Sequence, residues 1–373
     1  MKKRLPKHWL GAAASMLASN MAFAGALEQS NQGIQLLFED SNYAELGWAK
    51  VWVDVEGTDL LGVNTGDVAP SYGMGTLGVK LQLTPDWSAA LLVDQPFGIT
   101  VNYSQASPLY AGTAARVDST ATTALLRYKF NPHWSLYAGP KVQWLNADVT
   151  LGGLAADVFS GYQLKIDRET GLGYAAGASY ELPEIALRIA LTYHAEISYA
   201  SATTERLPEA LGGPVTIQND AHFKTPQSVN LDFQTGIAEN TLLFGLVRWV
   251  DWSAFELSPS TFSELTGEPL AGYPNDISTY MLGVAYQLTT ELTLASTLAF
   301  EDERNRYGSA LGPVNGFTSF GLGSVYNSGP VRLSLSAGYY QLRDTDPVSA
   351  DTVTGQFRDN SLTAVELKMG YKF

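Results

Sequence analysis

The chain has 373 residues, 16 % of them charged, a formal net charge of −14 and no cysteine. The missing thiols exclude a disulfide framework and thiolate metal or nucleophile chemistry, and the acidic balance argues against nucleic acid as a partner, since phosphate binding is led by Lys and Arg. No mature segment offers a run of about 18 apolar residues, yet Gly reaches 35 and Tyr, Phe and Trp reach 19, 15 and 8.

Lys2, Lys3, Arg4 and Lys7 form a positive start, Trp9 to Met21 is apolar or small, and Ala22-Phe23-Ala24 is an A-x-A cleavage site. Residues 1–24 therefore read as a signal peptide, and the mature chain should begin at Gly25 with a formal charge of −18. Residues 25–42 are too short and irregular for a strand. Polar Gln29 to Gly33 is followed there by the apolar Ile34, Leu36, Leu37 and Phe38. At the entrance of a barrel such a segment can fold inward as a hatch, its apolar residues needing a dry pocket; the alternative is a free N-terminal tail.

From residue 43 onward, side chains alternate with a period of two in about fourteen segments. They span 43–55, 73–84, 87–102, 115–130, 134–149, 161–182, 185–204, 224–237, 240–254, 277–289, 291–302, 315–327, 330–343 and 361–373. In the third, Pro96 lacks the N–H that a ladder needs and Gly98 lacks a side chain, so Asp94-Gln95-Pro96-Phe97-Gly98 should interrupt a regular strand. In the seventh, the odd residues Ile185 to Tyr199, including Ile197 and Tyr199, suit lipid, and Arg188, Thr192, His194 and Glu196 suit a lumen.

Short links at 84–86, 131–133, 183–184, 238–239, 289–290 and 327–329 carry turn chemistry, whereas those near 56–72, 103–114, 150–160, 205–223, 255–276, 303–314 and 344–360 are longer. The last strand ends on Phe373, with Thr363, Val365, Leu367, Met369 and Tyr371 on one face and Ala364, Glu366, Lys368, Gly370 and Lys372 on the other. The fold class that follows is all-β: a transmembrane antiparallel β-barrel over 43–373 in the outer membrane, its short links in the periplasm. Membrane lipid, lipopolysaccharide and the outer-membrane assembly machinery are the partners such a barrel implies. A water-soluble sandwich would also alternate, but does not call for alternating link lengths.

The chain resembles the FadL/TodX family of outer-membrane transporters, which carry long-chain fatty acids or other hydrophobic compounds. Carrying the resemblance are residues 25–47 with Ser41-Asn42-Tyr43-Ala44-Glu45-Leu46, Asp94 to Gly98, Thr192-Tyr193-His194-Ala195-Glu196, Asp251-Trp252-Ser253-Ala254-Phe255 and Ala299-Phe300-Glu301-Asp302. It implies fourteen strands, an N-terminal hatch and a third strand kinked at Pro96, Phe97 and Gly98 to open the wall sideways. Unlike better-known members, this chain has no Asn-Pro-Ala in 25–42, so the coupling of hatch to kink does not carry over residue by residue.

The mechanism implied is passive, without cofactor or catalytic group. Phe255, Leu257, Phe262, Leu265 and Tyr273 are the candidate contacts for capturing a hydrophobic solute such as a long-chain fatty acid among the outer loops. Lys141, Arg188 and Arg127 are luminal by phase and read as ordinary solvated wall charges in preference to partners for a carboxylate. Other classes remain: a general hydrophilic porin, or an outer-membrane lipase or protease using His194 with Glu196. Gly73 to Gly78 matches G-x-G-x-x-G but continues as a strand, which removes the helix a dinucleotide needs. Glu301, Asp302 and Glu303, or Asp344 and Asp346, are ordinary solvated loop acids in preference to Ca²⁺ ligands.

Overall fold

The computed structural model describes residues 27–302, 307–349 and 352–373; the expected signal peptide, the cleavage point before Gly25 and the loop acid Glu303 lie outside them. Fourteen antiparallel strands close into a barrel. They are β1 (Tyr43–Asp54), β2 (Tyr72–Gln82), β3 in two pieces (Trp87–Asp94 and Gly98–Asn102), β4 (Ala114–Lys129), β5 (Trp134–Thr150) and β6 (Gln163–Leu182). Next come β7 in two pieces (Leu187–His194 and Ile197–Leu207), β8 in two pieces (Val215–Thr225 and Ser228–Ala238), β9 (Thr241–Val250) and β10 (Ile277–Gln287). The circuit is completed by β11 (Leu292–Glu301), β12 (Phe317–Ser328), β13 (Val331–Leu342) and β14 (Ser361–Lys372). Closure is the full-length ladder of β14 on β1, from Tyr43↔Lys372 to Asp54↔Ser361, which leaves neither strand as an open edge.

Alternation sets what each face does. On β14, Leu367, Met369, Tyr371 and Phe373 are exposed on the outside, while Ala364, Glu366 and Lys368 are buried inside. Trp87, Tyr128, Phe130, Trp134, Tyr286, Tyr326 and Tyr371 stand outward beside the short turns, and Trp52, Tyr174, Tyr280, Phe300, Phe320 and Tyr339 form a second outward belt towards the long links. Two aromatic belts flanking an apolar band are the pattern of a wall that crosses a bilayer.

Above the second belt, β6, β7 and β8 turn inside out. On β7, Ile189 and Leu191 are exposed outside, but beyond the break at Ala195 and Glu196 the same odd register puts Ile197 and Tyr199 inside, 1 % and 3 % exposed. This corrects the expectation that Ile197 and Tyr199 face lipid. On β8 the break at Pro226 and Gln227 likewise brings Phe223 and Ala221 inward. Outside, the pairs Lys165–Asp167 and Glu196–Lys224 meet water. The reason is the solvent: where the wall leaves the apolar band, burial drives apolar side chains in and charges out, as in a soluble sheet. This upper wall also lengthens β8, which begins at Val215 and reduces the expected 205–223 link to residues 208–214. β9 stops at Val250, short of the expected 254, and a 3-10 turn follows over Trp252–Ala254.

Candidate functional site: a wall break joined to an outer cavity

β3 breaks where Pro96 denies the ladder a donor. β2 pairs with β3 only from Leu77↔Val93 down to Gln82↔Ser88, while the upper piece of β3 pairs with β4 alone, through Gly98↔Asp118 to Asn102↔Ala114. Higher up, the Asn102 N–H donates to Val68 O at 2.8 Å and rejoins the wall. Between those two closures lies a gap flanked by Tyr72 to Thr76 and by Gln95 to Val101.

Backbone freed by such a break must be satisfied from within the protein, because lipid cannot do it. Ser119 on β4 accepts from the Phe97 N–H at 2.8 Å and donates to Phe97 O at 2.6 Å. The N-terminal segment supplies the rest. Glu28 bridges antiparallel to Phe97, with Gln29 N–H on Pro96 O at 2.9 Å and Gly98 N–H on Leu27 O at 2.7 Å. Gly98 admits this approach, since a Cβ there would sit 2.5 Å from the Gln29 side chain. Ser30 adds a hydrogen bond to Asp94.

The segment then runs down the lumen with its two buried carboxylates, Glu28 and Glu39, paired. Glu28 forms an ion pair with Arg248, and Glu39 one with Arg332 at 2.6 Å. Gln35 donates to Asp232 at 2.8 Å, and Asn230 donates to Asn31 O at 2.7 Å. Ile34, Leu36, Leu37 and Phe38 are all buried, in a cluster with Tyr43, Leu125 and Tyr137. Phe38 lies between the guanidinium groups of Arg127 and Arg188, each 4.5 Å from its ring, and Leu36 rests where Gly78 leaves room.

Above the break the outer links enclose an apolar cavity of about 280 Å³, lined by Leu27, Ile99, Val117, Phe255, Leu257 and Tyr273 among others. Its described lining residues carry no charge. A smaller cavity of about 90 Å³ lies at the inner side of the gap, against Tyr72, Gly98, Ile99 and Val101 and, from the inner wall, Val53, Leu342 and Leu362. An aromatic chain ties the two regions together: Trp252 packs edge-on to Phe97 at 5.8 Å and to Phe255 and Tyr273 at 5.5 and 4.9 Å.

Of the capture candidates, Phe255, Leu257 and Tyr273 thus reach the cavity wall. Phe262 packs instead against Phe159 and Tyr162, at 5.0 and 5.3 Å, from helix α1 (Ser260–Thr266). Leu265 on the same helix is exposed to solvent. The α1 amides of Thr261 and Phe262 and the Tyr162 hydroxyl all donate to the buried Glu205 carboxylate. Burial pushes the Tyr162 phenol up, and Glu205 beside it pushes the same way, so the hydroxyl stays a donor.

The cations lie elsewhere. Lys141 donates to Gln32, and Arg127 pairs with Glu181, so neither faces the apolar cavity. His194 and Glu196 do not form a base and its orienting carboxylate: the break at Ala195 leaves His194 buried inside, while Glu196 points out to Lys224. Glu28, Ser30, Ser119 and Arg248, which hold the break, carry no local motif; the polar positions inside the lumen were their only signal.

A family model described as Outer membrane protein transport protein (OMPP1/FadL/TodX) matches residues 12–368. The chain belongs to this family. Among solved structures, a Pseudomonas aeruginosa FadL homologue is similar at 16 % identity over 100 % of both chains, with a TM-score of 0.75. The P. putida toluene transporter TodX is similar at 15 % identity over 91 % of this chain and 92 % of its own, with a TM-score of 0.64. For the Ralstonia pickettii toluene transporter TbuX the values are 14 %, 97 % and 94 %, with a TM-score of 0.65. No curated protein sequence matches. At these identities the likeness speaks for the fold. As a FadL/TodX family member the chain is an outer-membrane β-barrel and a channel or transporter for hydrophobic compounds, and its family and structural neighbours are transporters and channels, not enzymes.

Proposed function

We propose that this barrel takes up uncharged hydrophobic small molecules passively, capturing them in the outer cavity and releasing them sideways through the β2–β3 gap into the bilayer. The observation that carries the reading is an uncharged apolar cavity that meets the wall break above a lumen occupied by the N-terminal segment. A cavity of about 150 Å³ with an apolar lining holds benzene, so about 280 Å³ is ample for a monoaromatic compound. Toluene, the compound named for TodX and TbuX, has that chemistry. A long-chain fatty acid would gain about 0.8 kcal/mol per buried CH₂, but its carboxylate would want a cation, and the described cavity lining offers none. Uncharged compounds therefore come before fatty acids.

On this reading membrane lipid meets the band between the aromatic belts, lipopolysaccharide meets the charged outer wall around Glu196 and Lys224, and the outer-membrane assembly machinery receives β14. The test is toluene uptake by cells whose lipopolysaccharide slows free entry, joined to planar-bilayer conductance. Faster uptake with negligible steady current is expected. Large ohmic current without a gain in toluene uptake would make the protein a hydrophilic porin instead.

A further inference from the structure

The two cavities have common walls. Ile99, Gly312 and Val314 line both the outer cavity and the one at the gap, and Leu27 and Glu28, neighbours in the N-terminal segment, line one each. Ile99 is carried by the upper piece of β3, directly after Gly98, while Gly312 belongs to the link between β11 and β12. The two approach closely: a Cβ built on Gly312 would stand 3.3 Å from Ile99 Cδ1. A solute moving from one cavity to the other passes beside this pair.

We propose that Ile99 and Gly312 form the size filter of the pathway, a neck that admits flat or slender uncharged compounds and holds back bulkier ones. The inference rests on the sideways route proposed above. The chemistry of selection is steric, because the described residues around the neck carry no charge apart from Glu28, whose carboxylate is turned to Arg248. The missing side chain at Gly312 keeps the neck open, and the δ-methyl of Ile99 sets how far. A larger residue at 312 must push Ile99 aside or close the passage; a smaller one at 99 widens it. One or two methyl groups in an apolar constriction are worth about tenfold or more in discrimination.

The experiment compares uptake of toluene with that of 1,3,5-triethylbenzene by cells carrying the full-length protein, Ile99→Ala or Gly312→Val, with heat-modifiable mobility confirming that each barrel folds. Ile99→Ala should raise the triethylbenzene to toluene ratio about tenfold, and Gly312→Val should lower uptake of both. Folded variants that leave the ratio and the rates at the level of the unaltered protein would overturn the filter while the route stands. Absence of toluene uptake above cells lacking the protein would overturn the route, and the filter with it. The widening variant guards against loss of uptake through misfolding alone, since it predicts a gain.

Discussion

Glu28 and Phe97 stand opposite each other in an isolated antiparallel bridge, joining the N-terminal segment to the strand whose ladder Pro96 interrupts. The segment thus satisfies the backbone of the break while its own buried charge is met by Arg248. Wall gap and lumen filling are one hydrogen-bonded unit.

Arg248→Ala should loosen that unit. Glu28 and Arg248 are 2 % and 1 % exposed, and removing one partner of a buried pair costs about 3–5 kcal/mol because the other charge is left uncompensated. The segment should leave the lumen, and steady planar-bilayer conductance should rise. Replacing both partners, as Glu28→Gln with Arg248→Met, should keep conductance near that of the unaltered protein.

Ser119→Ala removes both hydrogen bonds from a side chain to the Phe97 backbone. Each buried polar group left without a partner costs about 1–3 kcal/mol. Amide hydrogen exchange should quicken at Phe97, while the ladder of β6 on β5 keeps its protection.

The reversal of the upper wall predicts opposite accessibility for neighbours in sequence. The chain has no native cysteine, so single cysteines report cleanly. A cysteine at Glu196 should react from outside the cell with a membrane-impermeant maleimide, and one at His194 should not. A fluorophore at Leu191 should be quenched by brominated lipid, whereas Ile197→Cys should be shielded from both reagents.

Tyr110 offers a pH signature outside the membrane. Burial pushes its phenol up to about 12, the hydrogen bond to Thr354 opposes the rise, and Asp59 adds to it. An unfolded tyrosine loses its proton near pH 10, so the contribution of Tyr110 is whole below that and fades as pH climbs to about 12. The thermal midpoint of the folded barrel in detergent should fall over this window, and less steeply in Tyr110→Phe.

Strand count, link alternation and the inward face of β14 were legible because period-two alternation in lipid is strict, and the same holds for the interruption at Pro96, a local consequence of a missing N–H. Parity failed at Ile197, Tyr199 and Glu196. It assumes an unbroken strand in one solvent, and β7 both breaks at Ala195 and passes from lipid to water. The early start of β8 was hidden likewise: Asp220 and His222 look like a polar loop until Ala221 and Phe223 are seen to face inward. Ser119 and Arg248 were unreadable as parts of the site because their partners, Phe97 and Glu28, are 22 and 220 residues away in the chain.

Photo-crosslinking with a diazirine-bearing toluene analogue tests the sideways route most directly. Carried by the protein in native outer membranes and mapped by peptide mass spectrometry, the label should fall on the cavity at Phe255 and Tyr273 and on the gap at Tyr72, Ile99 and Val101. Label concentrated instead at the periplasmic mouth, around Asn327, Pro330 and Lys372, with none in the gap, would show passage straight through the lumen and contradict the account.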